Sequence, residues 1–184
     1  MTTIGHNNGP TMERGAGWRR YAWKRARAEL LPKTLPVEIL RMRVRRAREL
    51  GLDYKTYAGV RASTGRDLIA FLFSSNALRL QENRITPGRN AALQTLKNTG
   101  ILALIYPPEE PETIILHNPI IDAAGPAPNL TDTWQDIREK VSRPLGTIPR
   151  DAVLVIGETH LEREWSAAGR LAGYLSAERF FATR

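Results

Sequence analysis

Two acids four residues apart, Glu158 and Glu162, follow the apolar run AVLVIG, which ends at Gly157. At that spacing they share one face of a helix start. Carboxylates there suit the positive end of the helix macrodipole. A second polar group, Ser74, Ser75 and Asn76, follows the run LIAFLF. Such residues satisfy loop backbone groups or contact a ligand. A third run, ILALIY, ends at Tyr106 with Pro107 and Pro108 behind it. The three histidines, His6, His117 and His160, are scattered, so no His-based metal cluster shows. The chain has no cysteine. Disulfides, thiolate chemistry and cysteine-bound zinc are therefore excluded, and a reducing, cytoplasmic setting is expected.

Each polar group stands just past an apolar run, so those runs must deliver it. LIAFLF, ILALIY and AVLVIG read as buried strands, and TIILHNPI and ERFFA as two further ones. ITPGRNAALQTLKNTG, TDTWQDIREKVSRPLG and THLEREWSAAGRLAG read as helices, the second capped by Thr131 or Asp132. PPEEPE and DAAGPAPNL read as loops. Continuous apolar strands alternating with helices predict an α/β fold, a Rossmann-like three-layer parallel sheet. In such a sheet, ligands bind outside the carboxyl ends of the strands. Ser74, Ser75, Asn76, Tyr106, Gly157 and Glu158 are therefore the expected ligand cleft. The apolar runs are far too short to span a bilayer.

The charge is lopsided. Residues 1–50 carry 12 Lys/Arg and 4 Asp/Glu, and residues 51–184 carry 15 of each, so the net +8 comes from the first quarter of the chain. Residues 1–15 are polar and Gly/Asn-rich, and are expected to be a disordered leader. A basic helical segment is expected over 16–64, ahead of the α/β domain over 65–184. In GWRRYAWKRARAELL, Trp18, Ala22, Trp23, Ala26 and Leu30 share one arc, with Arg20, Lys24 and Arg27 opposite. In PVEILRMRVRRAREL, Val37, Leu40, Val44 and Ala47 make the apolar stripe, with Arg41, Arg45 and Arg48 beside it. A third short helix starts after Asp53 and closes at Gly65. Arg19, Arg20, Lys24, Arg25, Arg27, Arg41, Arg45 and Arg48 are the candidate contacts to a phosphate backbone. Helices 36–50 and 53–64 have helix-turn-helix spacing, which many helical hairpins share. A solvated charged face is the plain alternative. An anionic membrane surface fits less well, because the apolar arc of the first helix is rich in alanine.

The ordered set IAFLFSSNALRL, ITPGRNAALQTLKNTGILALIY and IPRDAVLVIGETHLEREWSAAGRLAGYL resembles the haloacid dehalogenase-like (HAD) superfamily over Leu68 to Leu175. The resemblance implies a Rossmann-like three-layer domain. It also implies, for active members, phosphoryl transfer through an aspartyl intermediate with Mg²⁺. The family's first strand ends in Asp-x-Asp-x-Thr. The matching stretch here is Phe73 to Ala77, or Ser74 to Leu78, and neither placement holds an acid. A phosphoryl acceptor must be a positioned nucleophile, which Phe cannot be and an unactivated Ser is poorly. The second strand ends in Tyr106 where the family holds phosphate with Ser or Thr. Lys140 is the nearest match to the family's lysine. Glu158 and Glu162 fall where the family has metal-binding acids.

These readings converge on a non-catalytic HAD-like protein that needs no cofactor and whose basic segment contacts nucleic acid through residues 19–48. One alternative is a divergent Mg²⁺-dependent HAD-like phosphatase with Glu158 and Glu162 on the metal and Ser74 or Ser75 near phosphate. Another is an interaction scaffold whose basic helices dock on an acidic protein partner.

Overall fold

The computed structural model describes residues 35–182. Residues 41–182 form a compact unit. This unit is built on a five-stranded parallel sheet flanked by helices on both faces. In chain order the elements are α1 (Val37–Glu49), α2 (Tyr54–Thr64), β1 (Ala70–Ser74) and a single helical turn, α3 (Ser75–Leu78). Then come a hairpin, β2 (Leu80–Gln81) and β3 (Arg84–Ile85), followed by α4 (Pro87–Gln94), β4 (Gly100–Ile105) and α5 (Pro111–His117). The last elements are β5 (Ala123–Pro126), α6 (Trp134–Ser142), β6 (Val153–Gly157), α7 (His160–Ala168), β7 (Gly173–Ser176) and α8 (Ala177–Ala182). The sheet order is β5-β4-β1-β6-β7. Ala70 of β1 lies level with Gly100 of β4 and Val153 of β6.

The strand period of two sorts the side chains of β1 between two cores. Phe71 and Phe73 face the core made with α1, α2, α4, α5 and α8. Ala70 and Leu72 face the core made with α6 and α7. In the first core Phe180 meets Phe71 and Phe73 at ring-centroid distances of 5.1 and 5.4 Å, both edge-on, the geometry ring quadrupoles favour. Leu50, Leu52 and Tyr57 are buried in this core, so α2 and the C-terminal half of α1 are built into the α/β unit.

The three central strands stand where the apolar runs predict, as do Asp53 and Gly65. The Asp53 carboxylate accepts from the Thr56 N–H, and Gly65 closes α2 at φ 72°. Several expectations need correction. TIILH is helix, not strand: Pro111 presets the first turn, and Pro111 and Ile114 are buried one turn apart while Leu116 is 77% exposed. ERFFA is also helix, with Ala177 and Phe180 buried at i,i+3. The fifth strand is Gly173–Ser176, and α7 stops at Ala168. DAAGPAPNL contains β5, an edge strand in which Pro126 is tolerated. The cap of α6 is Thr133, whose side chain and that of Asp136 form a reciprocal capping box. Asp132 instead takes the Lys140 ammonium at 2.6 Å.

Candidate functional site

Helices α4 and α5 lie on one face of the sheet and α6 and α7 on the other, so the connections change face between β1 and β6. In open α/β sheets such a switch point, outside the carboxyl ends of the strands, is where ligands bind. The residues expected there are brought together. Ser74, Ser75 and Asn76 leave β1, Tyr106 leaves β4, and Gly157, Glu158 and Glu162 follow β6.

A hydrogen-bonded chain joins the three strand ends. The Ser74 hydroxyl, fully buried, accepts from the Ala77 N–H at 3.1 Å and caps the turn α3. The Ser75 hydroxyl accepts from the Tyr106 N–H at 3.2 Å. Asn76 is exposed, and its amide donates to Glu162 Oε1 at 2.9 Å. Glu162 is fully buried, and its other carboxylate oxygen accepts from the N–H groups of Glu158 and Thr159. The Thr159 hydroxyl accepts in turn from the Glu162 N–H, which completes a capping box at the start of α7. Gly157 is required by this arrangement. A Cβ there would stand 2.6 Å from Glu162 Oε2 and 2.9 Å from Glu162 Cβ.

Glu158 looks the other way. Its carboxylate lies 3.3 Å from Arg79 Nε and 3.7 Å from Arg89 Nη2. The two acids that the sequence pairs thus serve separate partners. Among the described residues no group of three or more His, Asp or Glu is placed to hold a metal ion. Glu162 already accepts three hydrogen bonds and Glu158 joins two guanidinia, so this donor set does not fit a Mg²⁺ centre. Lys140 is engaged by Asp132 on α6.

Two phenols stand near these strand ends. Burial holds Tyr106 well above the usual phenol range, and the nearby Glu162 carboxylate adds to the shift. Its ring rests beside Trp165, 5.8 Å between centroids. Burial and Glu162 also raise Tyr174, whose hydroxyl donates to the Gly157 carbonyl at 3.0 Å. Both phenols stay neutral at ordinary pH.

Reading the sequence by itself misses Arg79, Arg89 and the hairpin that precedes α4. One signal was there. Arg89 sits in the first turn of a helix, where a cation opposes the macrodipole and therefore calls for an acid partner. The hairpin turn places both Glu82 and Asn83 at positive φ, 48° and 61°, the backbone of a two-residue turn matched to strand twist. Asn118, buried, pins the hairpin to α5. It accepts from the Ile85 N–H and donates to the Asn83 and Ile114 carbonyls, all at 2.8 Å.

On the basic helix, Arg41, Arg45 and Arg48 are exposed along one side of α1. Arg46 is not among them. Its guanidinium is bonded to Asp67, Glu49 and the carbonyls of Leu68, Lys97 and Asn98. Arg19, Arg20, Lys24, Arg25 and Arg27 lie outside the described residues. Among the described residues no helix is long and apolar enough to cross a membrane. No known protein family, curated protein or solved structure matches this chain.

Proposed function

We propose that this chain is a non-catalytic, HAD-like α/β protein that binds nucleic acid through its basic N-terminal quarter. The observation that carries the binding reading is the mounting of α1. Arg46, Ala47 and Leu50 fasten one side of the helix to the α/β unit, and Arg41, Arg45 and Arg48 stand exposed on it. Three cations at i, i+4 and i+7 share one side of a braced helix, where they can meet phosphates together. The cysteine-free sequence suits a reducing, cytoplasmic compartment.

The HAD-like, non-catalytic part rests on the strand order and on what occupies the family's nucleophile position. In one placement that residue is Phe73, packed on Phe180; in the other it is Ser74, spent on capping a helical turn. Both side chains serve the fold. The phosphatase alternative needs Glu158 and Glu162 turned towards one metal, and each is held elsewhere.

The test is a salt series of binding to labelled DNA and RNA, comparing the full chain with its Arg41→Gln/Arg45→Gln/Arg48→Gln variant. Removing the first 51 residues would be a poor control, because Ala47 and Leu50 belong to the core. Binding by the full chain should weaken steeply with salt. The triple variant should bind more weakly, with a duplex salt slope shallower by up to about 3. Salt-insensitive binding, or an unchanged slope, would overturn the proposal.

A further inference from the structure

A cavity of about 870 Å³ opens between the β2–β3 hairpin, α4 and α8. Its lining includes Arg79, Arg89, Gly88, Thr86, Phe181 and Glu178, and none of the cleft residues expected from the sequence. The size lies within the range of small-molecule pockets.

Two guanidinia meet at its wall. Arg89 is only 11% exposed and has its face 3.7 Å from the centre of the Phe181 ring, which fixes its direction. Arg79 is 63% exposed and reaches in from the end of α3. Both share Glu158, their one carboxylate partner among the described residues. Burial and Arg79 both make it harder for Arg89 to hold its charge. The same cavity meets the start of α4. No acid lies in that first turn, the Thr86 side chain makes no capping bond, and beyond Gly88 there is open space. The first-turn N–H groups of a helix are donors with no partner inside the helix.

We propose that this cavity binds a small aromatic phosphate of about the size of a nucleoside monophosphate. The phosphate lies between Arg79, Arg89 and the first turn of α4, a charge-assisted arrangement suited to a dianion. The flat ring extends the Arg89–Phe181 stack over Ala92 and Ala182, which also line the cavity. Glu178, exposed on α8, faces the ring side, where it accepts from an amino group. The site is separate from the basic face of α1.

Adenosine monophosphate, adenosine and inorganic phosphate are titrated into the full-length, isotope-labelled protein, followed by amide chemical shifts. Adenosine monophosphate should saturate, bind at least tenfold tighter than either fragment, and shift Gly88, Ala92 and Phe181. Arg89→Gln would loosen Glu158 and α8 as well, so two milder variants carry the argument. Arg79→Gln alters an exposed side chain. Gly88→Asp adds a carboxylate where the helix favours one and where no atom obstructs it. Each should weaken binding about tenfold or more while thermal stability holds. No saturable shift up to about 5 mM, shifts confined to other surfaces, or undiminished binding by Gly88→Asp would each overturn the proposal. Inorganic phosphate binding as tightly as the nucleotide would overturn the stacking assigned to Phe181.

Discussion

The carboxyl edge of the sheet and the outer side of α1 use charge in opposite ways. At the sheet edge each charged or hydroxyl group named above is matched inside the fold: Ser74 with Ala77, Ser75 with Tyr106, Glu162 with three donors, Glu158 with two arginines. On α1 the division runs within a single turn. Arg46 is 18% exposed and bonded to five groups, whereas its neighbour Arg45 is exposed. Residue type therefore does not decide role here. Position relative to carbonyls and carboxylates does, since a buried charge persists only where its hydrogen-bonding capacity is met.

The largest effect expected is at Glu162. Glu162→Ala leaves two backbone N–H groups and the Asn76 amide without an acceptor and opens a cavity, at a cost of about 3 kcal/mol or more in chemical denaturation. Glu162→Gln, which keeps one acceptor oxygen, should cost less. A variant that lost metal-dependent turnover but kept full stability would break the comparison, because Glu162 would then be a ligand and not a cap.

Next in size is the contrast within α1. Arg46→Ala should destabilise by about 2 kcal/mol, because it takes one donor from each of two carboxylates and three carbonyls. Arg45→Ala should change stability by less than about 0.5 kcal/mol and act on nucleic-acid affinity instead. Equal stabilities of the two variants, measured by urea unfolding, would erase the distinction between brace and contact.

At Ser74, substitution by Ala removes the cap of α3 and leaves the Ala77 N–H buried, for about 1 kcal/mol. Ser74→Thr should recover part of that loss, as a cap would and a passive core residue would not.

The mildest test is alkaline. Tyr57, Tyr106 and Tyr174 all have their pKa values raised in the fold above the ordinary 10.0, chiefly by burial. A group that binds its proton more tightly when folded stabilises the fold below its unfolded pKa. That contribution is lost as pH rises through the folded value. Stability should therefore hold up to about pH 10 and fall beyond it, with the part of the phenolate absorbance that a Tyr57→Phe/Tyr106→Phe/Tyr174→Phe variant lacks appearing only as the chain unfolds. That part of the signal appearing well before unfolding would show these rings to be solvated.

Much of the fold is legible in the sequence, for reasons that also mark where legibility ends. AFLFS, GILALI and VLVIG are covered on both faces, so each reads as an unbroken apolar run. AAGP and GYLS are edge strands of four residues, and Gly and Pro there look like loop. TIILH and ERFFA are short helices whose β-branched or aromatic residues imitate a strand, and only the burial of positions three apart reveals them. The strand-end residues follow from the α/β pattern alone. The partners of Glu158 do not. Arg79 and Arg89 lie 79 and 69 residues away and reach it only because β1 and β6 are sheet neighbours.

The two short outer strands carry a consequence for how the molecule behaves in concentrated solution. β5 and β7 have four residues each, whereas the central β4 has six, and β5 ends in a proline that has no N–H to offer. A foreign strand seeking to extend the sheet finds a ladder of few rungs with one already blocked. The taper from centre to rim makes the sheet self-terminating, and that guards against edge-to-edge aggregation.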